Sequence, residues 1–177
     1  TTAGNLAVTA ATGDVNTSHA QVTTPGLLSI TANTLGTQTL NNTSGVLSGQ
    51  QLQLQVANLN NTQGQIVQTG TTDLTMDLHG GLLNNTSGVI AANAHNLSIS
   101  SGALNNTSGT LQHAGTGSLN LTAASIDNTQ GQIVGNGAAT LTSAGAVANN
   151  HGTLSGANDL QIQATNFDNT LGKITSG

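Results

Sequence analysis

The chain has almost no charge, almost no aromatic residues and no cysteine. Charged residues fill 4% of its 177 positions, against about 25% in ordinary globular domains. Lys173 is the one cation, arginine and glutamate are absent, and the acids are Asp14, Asp73, Asp77, Asp127, Asp159 and Asp168. Nucleic-acid binding runs through cations on phosphates, so this composition excludes it. The same lack removes an electrostatic hold on anionic membranes. No apolar run approaches the roughly 20 residues of a membrane-spanning helix, so membrane insertion is not expected. Phe167 is the single aromatic residue, and a globular core built without Phe, Tyr or Trp buries too little area. Without cysteine, no disulfide can stabilise an exported form or lock a loop before passage through a membrane. The sequence has no starting Met and no leader peptide. It begins and ends inside its own repeat pattern and reads as a piece of a longer protein.

The repeat is what the chain does have. Seven times it spells an apolar residue, two Asn-like residues, a short polar pair and a glycine. The clearest copies start at Leu40, Leu59, Leu83 and Leu104, and looser ones at Ile126, Val147 and Phe167. Their glycines are Gly45, Gly64, Gly88, Gly109, Gly131, Gly152 and Gly172, spaced by 19, 24, 21, 22, 21 and 20 residues. A period of about 21 means stacked units, each too small to fold alone.

Counting from each glycine, position minus five is always apolar. Position minus three is always Asn: Asn42, Asn61, Asn85, Asn106, Asn128, Asn149 and Asn169. Position plus two is again apolar, from Leu47 and Ile66 to Leu154 and Ile174, while plus one is variable. That alternation predicts a short strand with one inward residue. A second alternating piece follows, as in Leu52-Gln53-Leu54, Leu74-Thr75-Met76, Leu97-Ser98-Ile99 and Leu119-Asn120-Leu121. Leu6-Ala7-Val8 and Leu28-Ser29-Ile30 extend this series toward the N-terminus, and Val15-Asn16-Thr17-Ser18-His19 resembles a degenerate turn. No segment shows a helical apolar period, and Thr, Gly and Asn interrupt every candidate helix. Like strands recur once per unit, which predicts parallel stacking rather than hairpins. The expected fold is an all-β, right-handed parallel β-helix of about eight coils. Residues 1–177 form one segment, with degenerate coils over 1–39 and regular ones over 40–177.

Stacking gives the Asn column a role. An amide both donates and accepts, so each Asn can bond those above and below. An Asn in a turn also takes left-handed geometry at low cost, and the glycine is expected to supply a second unusual backbone angle. Thr43, Thr62, Thr86, Thr107, Thr129 and Thr170 should form a column beside it. The 24-residue interval places an insertion around Asp77, His79, Gly80 and Gly81, a loop expected to bulge from the rod as a contact site.

The repeated turns and the L-x-[LI] strands resemble the filamentous haemagglutinin repeats of bacterial two-partner-secretion exoproteins. That resemblance implies a long β-helix exported through an outer-membrane partner transporter. It also implies a place on the bacterial surface or outside the cell. There it would act as an adhesin, or as the stalk of a contact-dependent inhibition toxin that meets a receptor on a host or neighbouring bacterium. Exposed ends of such a segment are expected to fray or to associate end to end, at Thr1 and Gly177.

Catalysis is the competing function. Some β-helices act on glycans through clustered carboxylates, and Asp127 and Asp168 share one repeat position two coils apart. Both replace Asn in the turn and read as turn residues, so no enzyme is expected. His19, His79, His95, His113 and His151 lack close metal-ligand spacing and have no cysteine beside them. They read as surface loop residues, although His95 and His113 lie on neighbouring coils. No metal or cofactor is expected. Sequons such as Asn41-Asn42-Thr43 coincide with the turn itself, so ladder bonding competes with glycosylation. An ice-binding face would need regular outward threonines, and the outward strand residues are mixed.

Overall fold

Parallel ladders account for every strand pairing among the described residues. The computed structural model describes residues 4–32 and 37–177, all strands and turns with no helix among them. Thr1 lies outside that range. The chain winds into about eight coils about 22 residues apart. Each coil lays one strand on each of three walls.

The first wall follows the turn glycines. Here Val46–Gln55 stacks on Gln65–Gln68, then Val89–Ala92, Thr110–His113, Gln132–Gly135, Thr153–Gly156 and Lys173–Ser176. The second wall carries the L-x-[LI] pieces, with Leu74–Asp77 on Leu97–Asn105, then Leu119–Asp127, Ala139–Ser143 and Leu160–Gln163. Toward the N-terminus Leu6–Thr9 pairs with residues 28–31, and residues 27–31 pair with residues 51–55. The third wall holds the residues just before each turn, from Val15–Asn16, Thr39–Asn41, Asn58–Asn60 and Leu82–Asn84 to Ala146–Ala148 and Asn166–Asp168. This third strand is absent from the sequence reading. The apolar residue at minus five is its single inward side chain, too short a signal to separate from the turn that follows.

Alternation sends one side of each strand inward. Leu47, Ile66, Ile90, Leu111, Ile133 and Leu154 stack in line on the first wall, and Leu40, Leu59, Leu83, Leu104, Ile126 and Val147 on the third, all buried. Burying each Leu or Ile contributes about 1.5–3 kcal/mol, so aliphatic columns replace the missing aromatic core. The same positions in the last coil are uncovered: Phe167 and Ile174 are 44% and 42% exposed.

The second wall is not continuous. Leu52 follows Leu47 by 5 residues, but Leu74 follows Ile66 by 8. The tight corner lets Val46–Gln55 run through as one strand, whereas the long corner at 69–73 separates Gln65–Gln68 from Leu74–Asp77. Residues 51–55 and Leu74–Asp77 consequently form no ladder with each other, although each pairs on its far side. In a parallel ladder, alternate residues bond to alternate neighbours. Leu74 donates its N–H to the Asn96 carbonyl of the next coil, so the peptide group of Thr75 faces backward into the split, and that of Leu54 faces forward. The buried Gln68 amide bridges one end: Leu52 N–H donates to its Oε1 at 2.9 Å, and its Nε2 donates to Gly70 O and Thr72 O.

Amide hydrogen exchange reports this directly. Leu54 and Thr75 should exchange at least about tenfold faster than their counterparts Leu121 and Asn120 on the intact part of the wall. Equal protection would mean the split closes in solution.

Candidate functional site

The turn is where the repeat concentrates its polar atoms, and its two Asn positions do different work. Position minus three is fully buried in Asn42, Asn61, Asn85, Asn106, Asn128 and Asn149. Each of these Nδ2 groups donates to the Oδ1 of the next Asn, at 2.8, 2.7, 2.7, 2.7, 2.7 and 2.6 Å from Asn42 to Asn169. The same NH2 donates within its own turn; Asn106 reaches Gly109 O at 3.2 Å and, in the next coil, Gln132 O at 3.0 Å. The two amide hydrogens are thus shared among three oxygens while Oδ1 accepts from below. At the N-terminal end Thr17 stands in the Asn position, and its hydroxyl donates to Asn42 Oδ1 at 3.0 Å. The degenerate turn caps the ladder.

Position minus four does a different task. Asn41 Oδ1 accepts from Thr43 N at 3.1 Å and from Thr43 Oγ1 at 2.7 Å, and the pattern repeats with Asn60 and Asn84. This oxygen only accepts, so a carboxylate can take over the cap, although it forgoes the Nδ2 donation to the coil before that Asn60 and Asn84 make to Thr43 Oγ1 and Thr62 Oγ1, at 3.1 Å each. Asp127 accepts from Thr129 N at 2.9 Å, and Asp168 from Thr170 N at 3.0 Å and Thr170 Oγ1 at 2.7 Å. The two acids are turn caps. Position minus three must donate, and there Asp never appears. The Thr column holds these caps, with its backbone carbonyls accepting from the turn of the coil before, as in Ser44 N to Thr62 O at 2.9 Å.

The turn glycines act differently from expectation. Neither the Asn nor the glycine takes positive φ. The residue directly before the glycine does: Ser44, Gln63, Ser87, Ser108, Gln130, His151 and Leu171 lie at φ 53–57°. Glycine is required by space instead. A Cβ at Gly88 would lie inside contact distance of the Asn61 carbonyl oxygen one coil back and of Asn85 Oδ1 in its own turn, and Gly64, Gly109, Gly131, Gly152 and Gly172 repeat the clash. At Gly45 the clashing carbonyl belongs to Thr17. In the first turn Ala20 takes the glycine position, with no described turn beneath it.

The insertion falls where the long interval places it. Asp77 aligns with Ser100 and Leu82 with Ala103, so residues 78–81 face only 101–102. It is tighter than a bulging loop. Leu78 is buried, Gly81 N donates to Leu78 O at 2.8 Å, and His79 and Gly80 take φ 51° and 86°. Asp77 Oδ1 accepts from His79 N at 2.9 Å, and its Oδ2 lies 3.5 Å from His79 Nδ1. Asp77 and His79 border a cleft of about 450 Å³ that opens along the split, with Gln51, Gln53 and Gln55 on one lip and Asp73 and Thr75 on the other. Sequence reasoning located the turn but missed the cleft, because its far lip comes from the preceding coil.

Histidine placement also differs. His19, His79, His95 and His151 are exposed, but His113 is fully buried. It turns inward at the corner of the first wall, and its Nε2 lies 2.9 Å from Ala94 O and 3.1 Å from His95 O. It meets the backbone of His95, not its ring. No group of three metal-ligating side chains occurs among the described residues, and no helix among them is long and apolar enough to cross a membrane.

Two acids titrate low. Asn96 holds the Asp73 carboxylate below its ordinary value of 3.8, first through its side-chain amide and then its backbone N–H. The Thr170 hydroxyl, then its N–H, does the same for Asp168. A depressed value stabilises the fold above the ordinary carboxylate range and is lost only as pH falls through the folded value. Both groups are exposed, so the effect is confined to acid and small. Carboxyl NMR titration should place both midpoints below 3.8, and Thr170→Ala should raise that of Asp168 alone.

Comparison with known proteins agrees with this architecture. The family described as haemagglutinin repeat matches residues 1–78, 69–119 and 117–177. A segment of 78 residues, 44% of the chain, is 45% identical to a protein described as Toxin CdiA of Yersinia pestis, covering 2% of that protein. The chain thus corresponds to a small fraction of that relative's length. No solved structure matches.

The ladder makes a sharp stability prediction. Asn106→Ala leaves buried partners unbonded and should cost about 3 kcal/mol; Asn106→Asp turns a donor into an acceptor facing three oxygens and should cost at least as much at neutral pH. Asn105→Ala, on the outer face, should cost about 1 kcal/mol. Gly88→Ala should be as damaging as the buried Asn changes. Denaturant unfolding of the four variants ranks them.

Proposed function

This chain belongs to the haemagglutinin repeat family, and we propose that it serves as a rigid spacer in a secreted bacterial exoprotein, with a contact surface on its side. The observation that carries this reading is the unbroken Asn ladder from Asn42 to Asn169. It fixes each coil to the next through buried bonds and suits a chain whose task is to hold distance. The match to a protein described as a CdiA toxin supports a surface-exposed filament that reaches other cells. Passage through an outer-membrane partner transporter fits a chain with no cysteine, which stays free of disulfides until it folds outside. The contact surface is the exposed turn at Asp77, His79, Gly80 and Gly81. Elsewhere the turns are locked by the ladder, while this one carries a charge and an imidazole at the mouth of the cleft.

The enzymatic alternative has less support. The Asp127 and Asp168 carboxylates are engaged by turn N–H groups, and a general acid needs a carboxyl available to its substrate.

Adhesion of bead-coupled chain to bacterial and epithelial cells tests this reading. Intact chain should adhere, and Asp77→Ala combined with His79→Ala should lose most of it. Adhesion unchanged in that variant would move the contact surface elsewhere. Release of reducing ends from acidic polysaccharide, lost on Asp127→Asn, would replace the spacer reading with the enzymatic one. The uncovered Phe167 and Ile174 are expected to drive end-to-end association of the isolated chain. Sedimentation should show weight-average mass rising with concentration, reduced by Phe167→Asn with Ile174→Asn.

A further inference from the structure

We propose that the cleft in the split second wall binds a neutral oligosaccharide; this rests on the contact-surface reading above and names its ligand class. Across the described residues the other coil-to-coil steps of this wall are laddered, and here two strand edges face a shared space instead. Peptide groups of Leu54 and Thr75 point into it without a ladder partner. Such groups need partners that both donate and accept. Water and sugar hydroxyls both have that dual capacity.

The lining chooses among ligands. Gln51, Gln53 and Gln55 present amides on one lip, Thr75 a hydroxyl and Asp77 a carboxylate on the other. The amide oxygens of Gln53 and Gln55 accept from Ser29 and Thr31 of the preceding coil at 3.5 and 3.4 Å. Their NH2 groups bond nothing in the protein among the described residues. Asp73 is fixed by Asn96 and Asp77 by His79, so the carboxylates keep their places at the rim. They repel sulfated, phosphorylated or sialylated ligands, and the one cation, Lys173, lies in the last coil, too far to offset them. An apolar ligand gains little, because Leu52 and Leu54 are buried beneath the polar rim. Residues 51–55 span about 13 Å, room for about two or three sugar rings. No aromatic face is present to stack on a sugar, so recognition rests on hydrogen bonds and single-site affinity should be about millimolar. Many rods on one surface raise it through multivalency.

The test is an amide-resolved NMR titration of the 177-residue chain. One arm uses a panel of neutral di- to tetrasaccharides built on glucose, galactose, mannose and N-acetylglucosamine. A parallel arm uses a heparin tetrasaccharide. We expect saturable shifts confined to Gln53, Leu54, Gln55, Thr75 and Asp77 with at least one neutral sugar. Gln53→Ala with Gln55→Ala should weaken binding at least about tenfold, with the ladder resonances of Asn106 and Asn128 unmoved. No shift at the cleft with any neutral sugar overturns the proposal, as does heparin binding there or a response indifferent to the double variant. Cell adhesion without sugar in the cleft would leave the contact-surface reading standing and this proposal fallen. A sugar in the cleft of a chain that adheres to nothing would do the reverse.

Discussion

A primary amide repeats itself by translation, and the rest of this fold hangs on that. Oδ1 accepts and Nδ2 donates, so one Asn bonds an identical Asn one coil away without change of geometry. A carboxylate cannot, because it only accepts. A hydroxyl can start the column, as Thr17 does, but it lacks the second hydrogen that also ties down Gly45 O or Gln65 O in the Asn42 turn. Once the column is set, the glycine is dictated by the carbonyl one coil back, and the strained φ falls on the residue before it. A left-handed angle there costs about 1–2 kcal/mol in a residue with a Cβ. Hydrogen bonds at both flanks offset it; around Leu171, at φ 54°, they run from Asn169 Nδ2 to Gly172 O and from His151 N to Thr170 O.

Charge follows from the same constraint. In a stack, any side chain sits beside its own kind about 4.8 Å away if the next coil repeats it. A column of carboxylates or ammonium groups would repel itself, whereas amides and hydroxyls gain. Acids therefore occur where the next coil differs: Asp127 is followed by Ala148, and Asp73 by Asn96, whose amide and N–H it accepts. The sparse charge of the composition is thus a requirement of repetition.

Much of this was legible in the residues. The Asn column, the inward aliphatics and the parallel winding each repeat with the period, and repetition is visible in a sequence. What escaped was what differs between neighbours. The third wall contributes one inward residue per coil, too little to register as a strand. His113 reads as a loop residue because its neighbours at that corner, Ala92 and Gly135, share no chemistry with it; only packing turns it inward. The split wall depends on a corner of 5 residues meeting one of 8, a mismatch between two coils that no single position displays. The role of glycine escapes for a related reason: its clash is with a carbonyl 22 to 28 residues back in the chain.

The split has a mechanical meaning as well. A three-walled rod with all ladders intact resists bending equally in every direction, because each wall loads its own backbone bonds. Between residues 51–55 and Leu74–Asp77 one wall carries none, while Gln65–Gln68 and Leu82–Asn84 still bond their predecessors on the other two. At that step the rod is a hinge with two leaves: it folds about the intact walls, opening or closing the split side, and stays stiff to shear across them. Under tension along the axis, the remaining two ladders carry the load at that step.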